Sequence, residues 1–248
     1  MRCVLIFLLL LFTTPYLSGQ VSTGNNTDWN KVLVGKKAVI ENNGRKVIGT
    51  PFAYEEYLPG SVYLSDSLHS PDKLLFKLNI LRNEIWLQQD VGVDKIDIIL
   101  SNPRIVALVL TKEGIRHSFK RLLLPFNRDV VRKFVELFYC GSLILIKEIQ
   151  KELIQTKVED NGIVIVNPAT DRYETREIYY LADEDGVIKK IRLKISDVYE
   201  LYPIVSKKNK SDLESYCKSK NIDKSPSETQ FIEFLSYLST FKVALNKE

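Results

Sequence analysis

From about Lys36 to Leu193 the apolar residues come in short runs closed by turn residues, and few of those runs carry the stripe of a helix. "KKAVI", "GSVYL", "KLLFKLNI", "NEIWLQQ", "KIDIIL", "RIVALVL", "IRHSFKRLLL", "KFVELFYC", "LILIKEI", "GIVIV", "REIYYL" and "VIKKIRL" are rich in Ile, Val, Leu, Phe and Tyr and read as strands. Between them stand "NNG" at 42–44, "SNP" at 101–103, "KEG" at 112–114, "CGS" at 140–142, "DNG" at 160–162 and "DEDG" at 183–186. These supply the Gly and Asn that tight connections need. Links this short join antiparallel neighbours, because a parallel pair needs a crossover of about a dozen residues.

"VYLSDS" and "IRHSFKRL" alternate apolar and polar, as in a sheet with one face on a core and the other in water. "IVALVL" and "LILI" are apolar on both faces and belong at the centre or under cover. The expected domain is an antiparallel β meander over residues 36–194, a curved sheet or a partly open barrel.

After Leu193 the pattern becomes helical. In "SDVYELYP", Ser196 reads as an N-cap and Pro203 as a stop. "SDLE" at 211–214 and "SPSE" at 225–228 read as capping boxes, the second with Pro226 at the first helical position. Phe231, Phe234, Leu235 and Leu238 then fall on one core-facing stripe. Residues 195–248 are expected to form a cap of two to three helices on the sheet, so the class is α+β, predominantly β.

Upstream of the sheet, "MRCVLIFLLLLFTTPYLSGQ" places Arg2 before an apolar run and then small and polar residues, the pattern of a secretory signal peptide over 1–19. Residues 20–35 are polar and read as a flexible lead-in tied down near Trp29. No later run approaches the roughly 20 apolar residues that span a bilayer, so the mature chain is expected to lack a transmembrane segment and to be exported, to the periplasm or outside. Losing Arg2 leaves 34 basic against 31 acidic residues, a net charge of +3. Lys207, Lys208 and Lys210 form the one tight basic group, which reads as a solvated flank, and no nucleic-acid partner is expected. Cys140 and Cys217 can pair in an oxidising envelope, but two cysteines carry no framework signal, and buried free thiols are the alternative.

Reactive constellations are missing from the pattern. There is no G-x-S-x-G elbow, no phosphate loop and no dinucleotide turn, and "VGKK" at 34–37 lacks the glycine and hydroxyl residue a phosphate cradle requires. His69 and His117 stand apart, without the spacing of metal ligands. No catalytic residue, cofactor or metal is expected. Glu55 and Glu56 are adjacent and so point apart on a strand or a helix, but Tyr54 with Glu56, and Glu55 with Tyr57, can share a face. Trp86 alternates with polar neighbours and lines either a core or an open groove. Tyr54, Glu56, Tyr57 and Trp86 are therefore the candidate ligand wall, with core packing as the competing role. Pro59-Gly60 reads as a type II turn that launches the strand "SVYL".

The order "GTPFAYEEYLPGSVYL", "LLFKLNI", "NEIWLQ" and "REIYYL", with "LESYCKSKN" and "FIEFLSYL" in the tail, resembles a family of uncharacterised secreted proteins common in Bacteroidota. The likeness runs from about residue 48 to 240 and is most specific after Gly49. It implies an envelope location and a bacterial source, and it implies no activity and no catalytic residue. Relatives carry an Asp-Gly turn where this chain has "SDSLHSPD". The expected function is that of a non-catalytic binding or scaffolding module with an envelope protein as partner. A carrier of an apolar ligand such as a lipid, and a carboxylate-dependent hydrolase of envelope polymers, are the alternatives.

Overall fold

The computed structural model describes residues 28–38, 46–124, 132–155, 170–183, 186–202 and 207–241. The leader, the first half of the lead-in, "NNG", "DNG", "GIVIV" and Pro203 lie outside those residues. The strands are β1 Gly35–Lys37, β2 Lys46–Ile48, β3 Leu58–Leu64, β4 Leu74–Asn79, β5 Glu84–Val91 and β6 Asp94–Leu100. They continue as β7 Ile105–Lys112, β8 Ile115–Leu122, β9 Lys133–Cys140, β10 Leu143–Ile154, β11 Thr170–Ala182 and β12 Ile188–Ile191. All join one sheet in the order β1-β6-β5-β4-β3-β7-β8-β9-β10-β11-β12. Every described pairing is antiparallel except that of β2, which lies parallel to β11.

The order is not one continuous meander. β3 to β6 run one way, and β7 returns to the free side of β3 to start a second series. Residues 101–104 make that return, although four strand spacings separate β6 from β7. A flat sheet would put them about 19 Å apart, more than the roughly 18 Å that five extended residues can span, so the sheet has to roll. Ser65 N donates to Arg104 O at 2.9 Å and Ser101 N to Val34 O at 3.2 Å, fixing both ends of the link.

Pro59-Gly60 does not form the expected turn. Both residues lie inside β3, where Pro59 pairs only with β4, through Leu75, and pairing with β7 begins at Gly60. A proline without an N–H is tolerated there because β3 has a partner on one side only at that residue. At "KEG" the expected turn is present, with Glu113 at φ 51° and Gly114 at φ 80°.

The rolled inner face carries two apolar clusters. Val62, Phe76, Leu87, Leu108 and Phe119 fill the first, from β3 to β8, at 0–1% exposure. Leu145, Leu181, Val198, Leu213, Phe231 and Phe234 form the second, under helices α2 Ile195–Leu201, α3 Lys207–Ser219 and α4 Glu228–Leu238. A short helix, α1 Trp29–Val32, packs Trp29 and Val32 onto the first cluster. The outer face has its own smaller cluster around Leu124, Val135, Leu137, Ile146 and Tyr180.

The stripe Phe231, Phe234, Leu235 and Leu238 is buried as its spacing requires, but the caps differ from expectation. α2 begins at Ile195 rather than after Ser196, and its N-cap Lys194 gives no side-chain bond. There Asp197 holds Arg192 through its backbone N–H and its guanidinium, at 2.9–3.1 Å. Ser211 is internal to α3. The box of α4 sits two residues later than "SPSE": Gln230 N donates to Ser227 Oγ at 3.3 Å and Ser227 N to Gln230 Oε1 at 3.1 Å. That shift leaves Glu228 in the first helical turn, free to reach the sheet. Ser227→Ala should lower unfolding free energy by about 1 kcal/mol with an unchanged denaturant slope, and Ser225→Ala should be nearly silent; urea unfolding of both variants checks this.

Cys140 and Cys217 are not joined; both are free thiols. α4 packs on β9 at one side and on α3 at the other, so the thiol of β9 and the thiol of α3 lie in separate layers. Cys140 donates instead to Phe138 O at 3.7 Å, and burial pushes its pKa up to about 11.

Candidate functional site

Four strands deliver a row of polar side chains between the two inner clusters. Register places Phe119 on β8 opposite Glu136 on β9, Glu136 opposite Lys147 on β10, and Lys147 opposite Tyr179 on β11. Because strand side chains alternate, all four share the inner face, as do His117 and Glu177 two residues away on β8 and β11. Glu136 is 4% exposed, and its Oε1 lies 2.6 Å from His117 Nδ1, a close hydrogen-bond contact. The ammonium of Lys147 lies 3.0 Å from Glu177 Oε1 and 2.8 Å from Glu228 Oε2. The Tyr179 hydroxyl, with one proton to give, lies 2.8 Å from Glu177 and 2.7 Å from Glu228.

The environment drives these groups apart in acidity. Burial raises the pKa of Glu136, and the pull of His117 and Lys147 does not bring it back. Burial disfavours the Lys147 cation, but the bonds to Glu228 and Glu177 outweigh it and its pKa is raised. Glu177 is also disfavoured as an anion by burial, yet Tyr179 and Lys147 lower its pKa by donating to it. The Tyr179 phenol is raised by burial and then by the two carboxylates. The row therefore acts as a clasp: Glu228, brought round by the late start of α4, ties the helix cap to β10 and β11.

Residues 49–57 cross this face as a strap, and the expected ligand wall is divided by it. Tyr54 reaches the row, its ring 5.2 Å from the His117 ring and 6.5 Å from Phe119, with its phenol raised by burial and by Glu136. Glu56 is exposed and pairs with Lys112 at 3.0 Å, and the same ammonium lies 5.0 Å from the Tyr54 ring centroid. Tyr57 and Trp86 point the other way. Lys77, which is opposite Trp86 in the β4–β5 register, places its ammonium 4.6 Å from the Tyr57 ring and 5.1 Å from Phe52. Trp86 is buried edge-on to Phe52 at 5.0 Å and donates to Glu84 at 3.3 Å. So the structure brings Tyr54 and, through Lys112, Glu56 toward the row, and gives Tyr57 and Trp86 a packing role on the outer face. Glu136, Lys147, Glu177 and Glu228 were not foreseen. Glu136 in "FVELFY" and Lys147 in "LILIKEI" are charges inside apolar strands, and that is the signal that marks them.

Beside the row a groove of about 510 Å³ opens between the β4–β5 turn and the long β10–β11 ribbon. Arg82, Lys133, Lys151 and Arg176 line it, with Glu152 and Glu174 on the same walls. Lys133 leans toward Glu148 at 3.7 Å; Arg82, Lys151 and Arg176 have no ion-pair partner within 4 Å among the described residues.

Among the described residues no three His, Cys, Asp or Glu side chains converge as a metal site, and no helix is long and apolar enough to cross a membrane. No protein-family model, curated protein or solved structure matches this chain.

Proposed function

We propose that this chain is an exported, non-catalytic binding module of the bacterial cell envelope, and that its groove takes an anionic polymer. The leader pattern of residues 1–19 and the Bacteroidota resemblance support the location. The groove carries the rest: Arg82, Lys151 and Arg176, which have no ion-pair partner within 4 Å among the described residues, line it beside Ile149 to Glu152, about 10 Å of strand, which suits a chain of repeated anions. An apolar ligand is disfavoured because Phe76, Leu87, Leu108 and Phe119 fill the inner face where it would lie.

The test uses immobilised dextran sulfate against neutral dextran at about 20 and 150 mM salt, where screening separates charge from other contacts. Dextran sulfate should bind with salt-sensitive affinity. The triple variant Arg82→Gln/Lys151→Gln/Arg176→Gln should lose about tenfold or more, at up to about 1 kcal/mol per exposed contact. Equal binding by the variant, or by neutral dextran, overturns the reading.

The hydrolase is the second reading, favoured by one observation. Glu136 and Glu177 flank Lys147 from neighbouring strands with opposite shifts, raised and lowered, as an acid and base pair would need. Lys147, held by Glu177 and Glu228, fills the space between them where a scissile bond would have to lie, so the binding module is preferred.

A further inference from the structure

Arg121 on β8 and Arg132, just ahead of β9, line a second hollow of about 390 Å³ on the other side of the β4–β5 turn. Asn83, Pro103, Ile105 and Val106 complete its walls, so among the described lining residues there are two guanidinium groups and no carboxylate. The Arg121 guanidinium lies 4.6 Å from the centroid of the Phe134 ring, and its Nε is buried with no acceptor. A buried donor left without an acceptor costs about 1–3 kcal/mol, and more when it is charged. Arg132 adds like charge beside it; burial and that charge together lower the Arg121 pKa.

The hollow is also pinned along one wall. Asn83, at φ 55°, donates through Nδ2 to Arg132 O at 2.8 Å and accepts the Phe134 N–H at Oδ1, also at 2.8 Å. It clamps the backbone on both sides of Lys133 and so fixes where Arg132 leaves the chain.

We propose that this hollow binds the phosphoryl group of a phosphomonoester through Arg121 and Arg132. A phosphomonoester carries about −1.5 to −2 at neutral pH, which matches two guanidinium groups, whereas a carboxylate leaves one of them uncompensated. The planar fork of arginine bonds phosphate oxygens in pairs, and Arg121 Nε gains the acceptor it lacks. Pro103, Ile105 and Val106 make one wall apolar, which strengthens such bonds by lowering the local dielectric. The site uses none of the groove's cations and stands whether or not the groove takes a polymer.

The full chain is titrated with inorganic phosphate, glucose 1-phosphate and acetate, followed by calorimetry and by the arginine Nε–H resonances. Both phosphates should saturate one site with a dissociation constant of about 1 mM or tighter, shifting the Arg121 Nε–H signal, and acetate should bind at least about tenfold more weakly. Arg132→Gln changes an exposed residue and should fold normally while losing about tenfold in phosphate affinity. Arg121→Gln should lose more, and Lys220→Gln, an equal loss of charge at the exposed end of the helical cap, should change nothing. Saturation by glucose 1-phosphate but not by free phosphate assigns the site to the ester. Failure of both to saturate by about 10 mM, acetate binding as tightly as phosphate, or Arg132→Gln binding like the unaltered chain overturns the proposal.

Discussion

Lys147→Met should cost about 2–3 kcal/mol of unfolding free energy near neutral pH, less than the roughly 3–5 kcal/mol seen when one partner of a fully buried ion pair is removed, because the side chains of Glu177 and Glu228 stay 43% and 30% exposed. Its side chain is 13% exposed, and its ammonium holds two carboxylates from different layers of the fold, Glu177 of the sheet and Glu228 of α4. Methionine replaces the stem but leaves those anions facing buried Glu136 without a cation between them. The loss should fall on the helical cap first, so amide exchange in α4 should accelerate more than in β3 to β8. A variant within about 1 kcal/mol of the unaltered chain would mean that the second apolar cluster alone holds the cap.

The same variant has a pH signature. The folded pKa of Lys147 lies above the ordinary 10.5, so its contribution is complete below that value and is lost only as pH rises past the folded value. Glu136 acts in the same direction but in an acid window: its folded pKa lies above the ordinary 4.5, so between these two values the folded state binds the extra proton and stability falls as pH rises. Without Lys147 one of the influences holding Glu136 down is gone, and the window widens upward. The cost of Lys147→Met should therefore shrink when the pH is lowered from about 8 to 5, and adding Glu136→Gln should recover part of it at the higher pH.

The strands were legible because short runs rich in β-branched, leucine and aromatic residues closed by turn residues mark them: "KFVELFYC" is β9 from end to end and "IRHSFKRL" is β8. β2 was not, since Lys46, Val47 and Ile48 are all exposed and their parallel partner on β11 lies more than a hundred residues away. The helix caps were misplaced for a local reason: Ser196, Ser211 and Ser225 are all chemically able to cap, and tertiary contacts selected Ser227 so that Glu228 meets Lys147. The charged row was half legible. Glu136 and Lys147 interrupt apolar runs in plain view, but their meeting depends on a register across four strands that no local pattern encodes. The basic walls were hidden for the same reason, being assembled from the β4–β5 turn, the start of β9 and the β10–β11 ribbon.

Gly60→Ala should be severely damaging, because Gly60 lies on an interior strand of the sheet. A Cβ there would lie 2.1 Å from Val109 O and 3.1 Å from Leu110 Cδ2. The carbonyl is backbone of β7 and cannot swing aside, so β3 and β7 must part at the residue where β3 begins its second pairing. That pairing closes the return from β6, and its loss opens the cluster around Val62 and Leu108. The expected cost is about 4 kcal/mol or more, in the upper tail of single substitutions. Gly92→Ala separates this cause from backbone strain: φ is 66° and nothing lies within 4 Å of the new methyl, so only the left-handed conformation is penalised, by about 1–2 kcal/mol. Urea unfolding of the two variants, with amide exchange read over Ser61–Leu64 and Ile105–Leu110, distinguishes them. If Gly60→Ala were no costlier than Gly92→Ala, the close approach of β7 could not be what keeps a glycine after Pro59, and the return of β7 to β3 would have to rest on its apolar side chains alone.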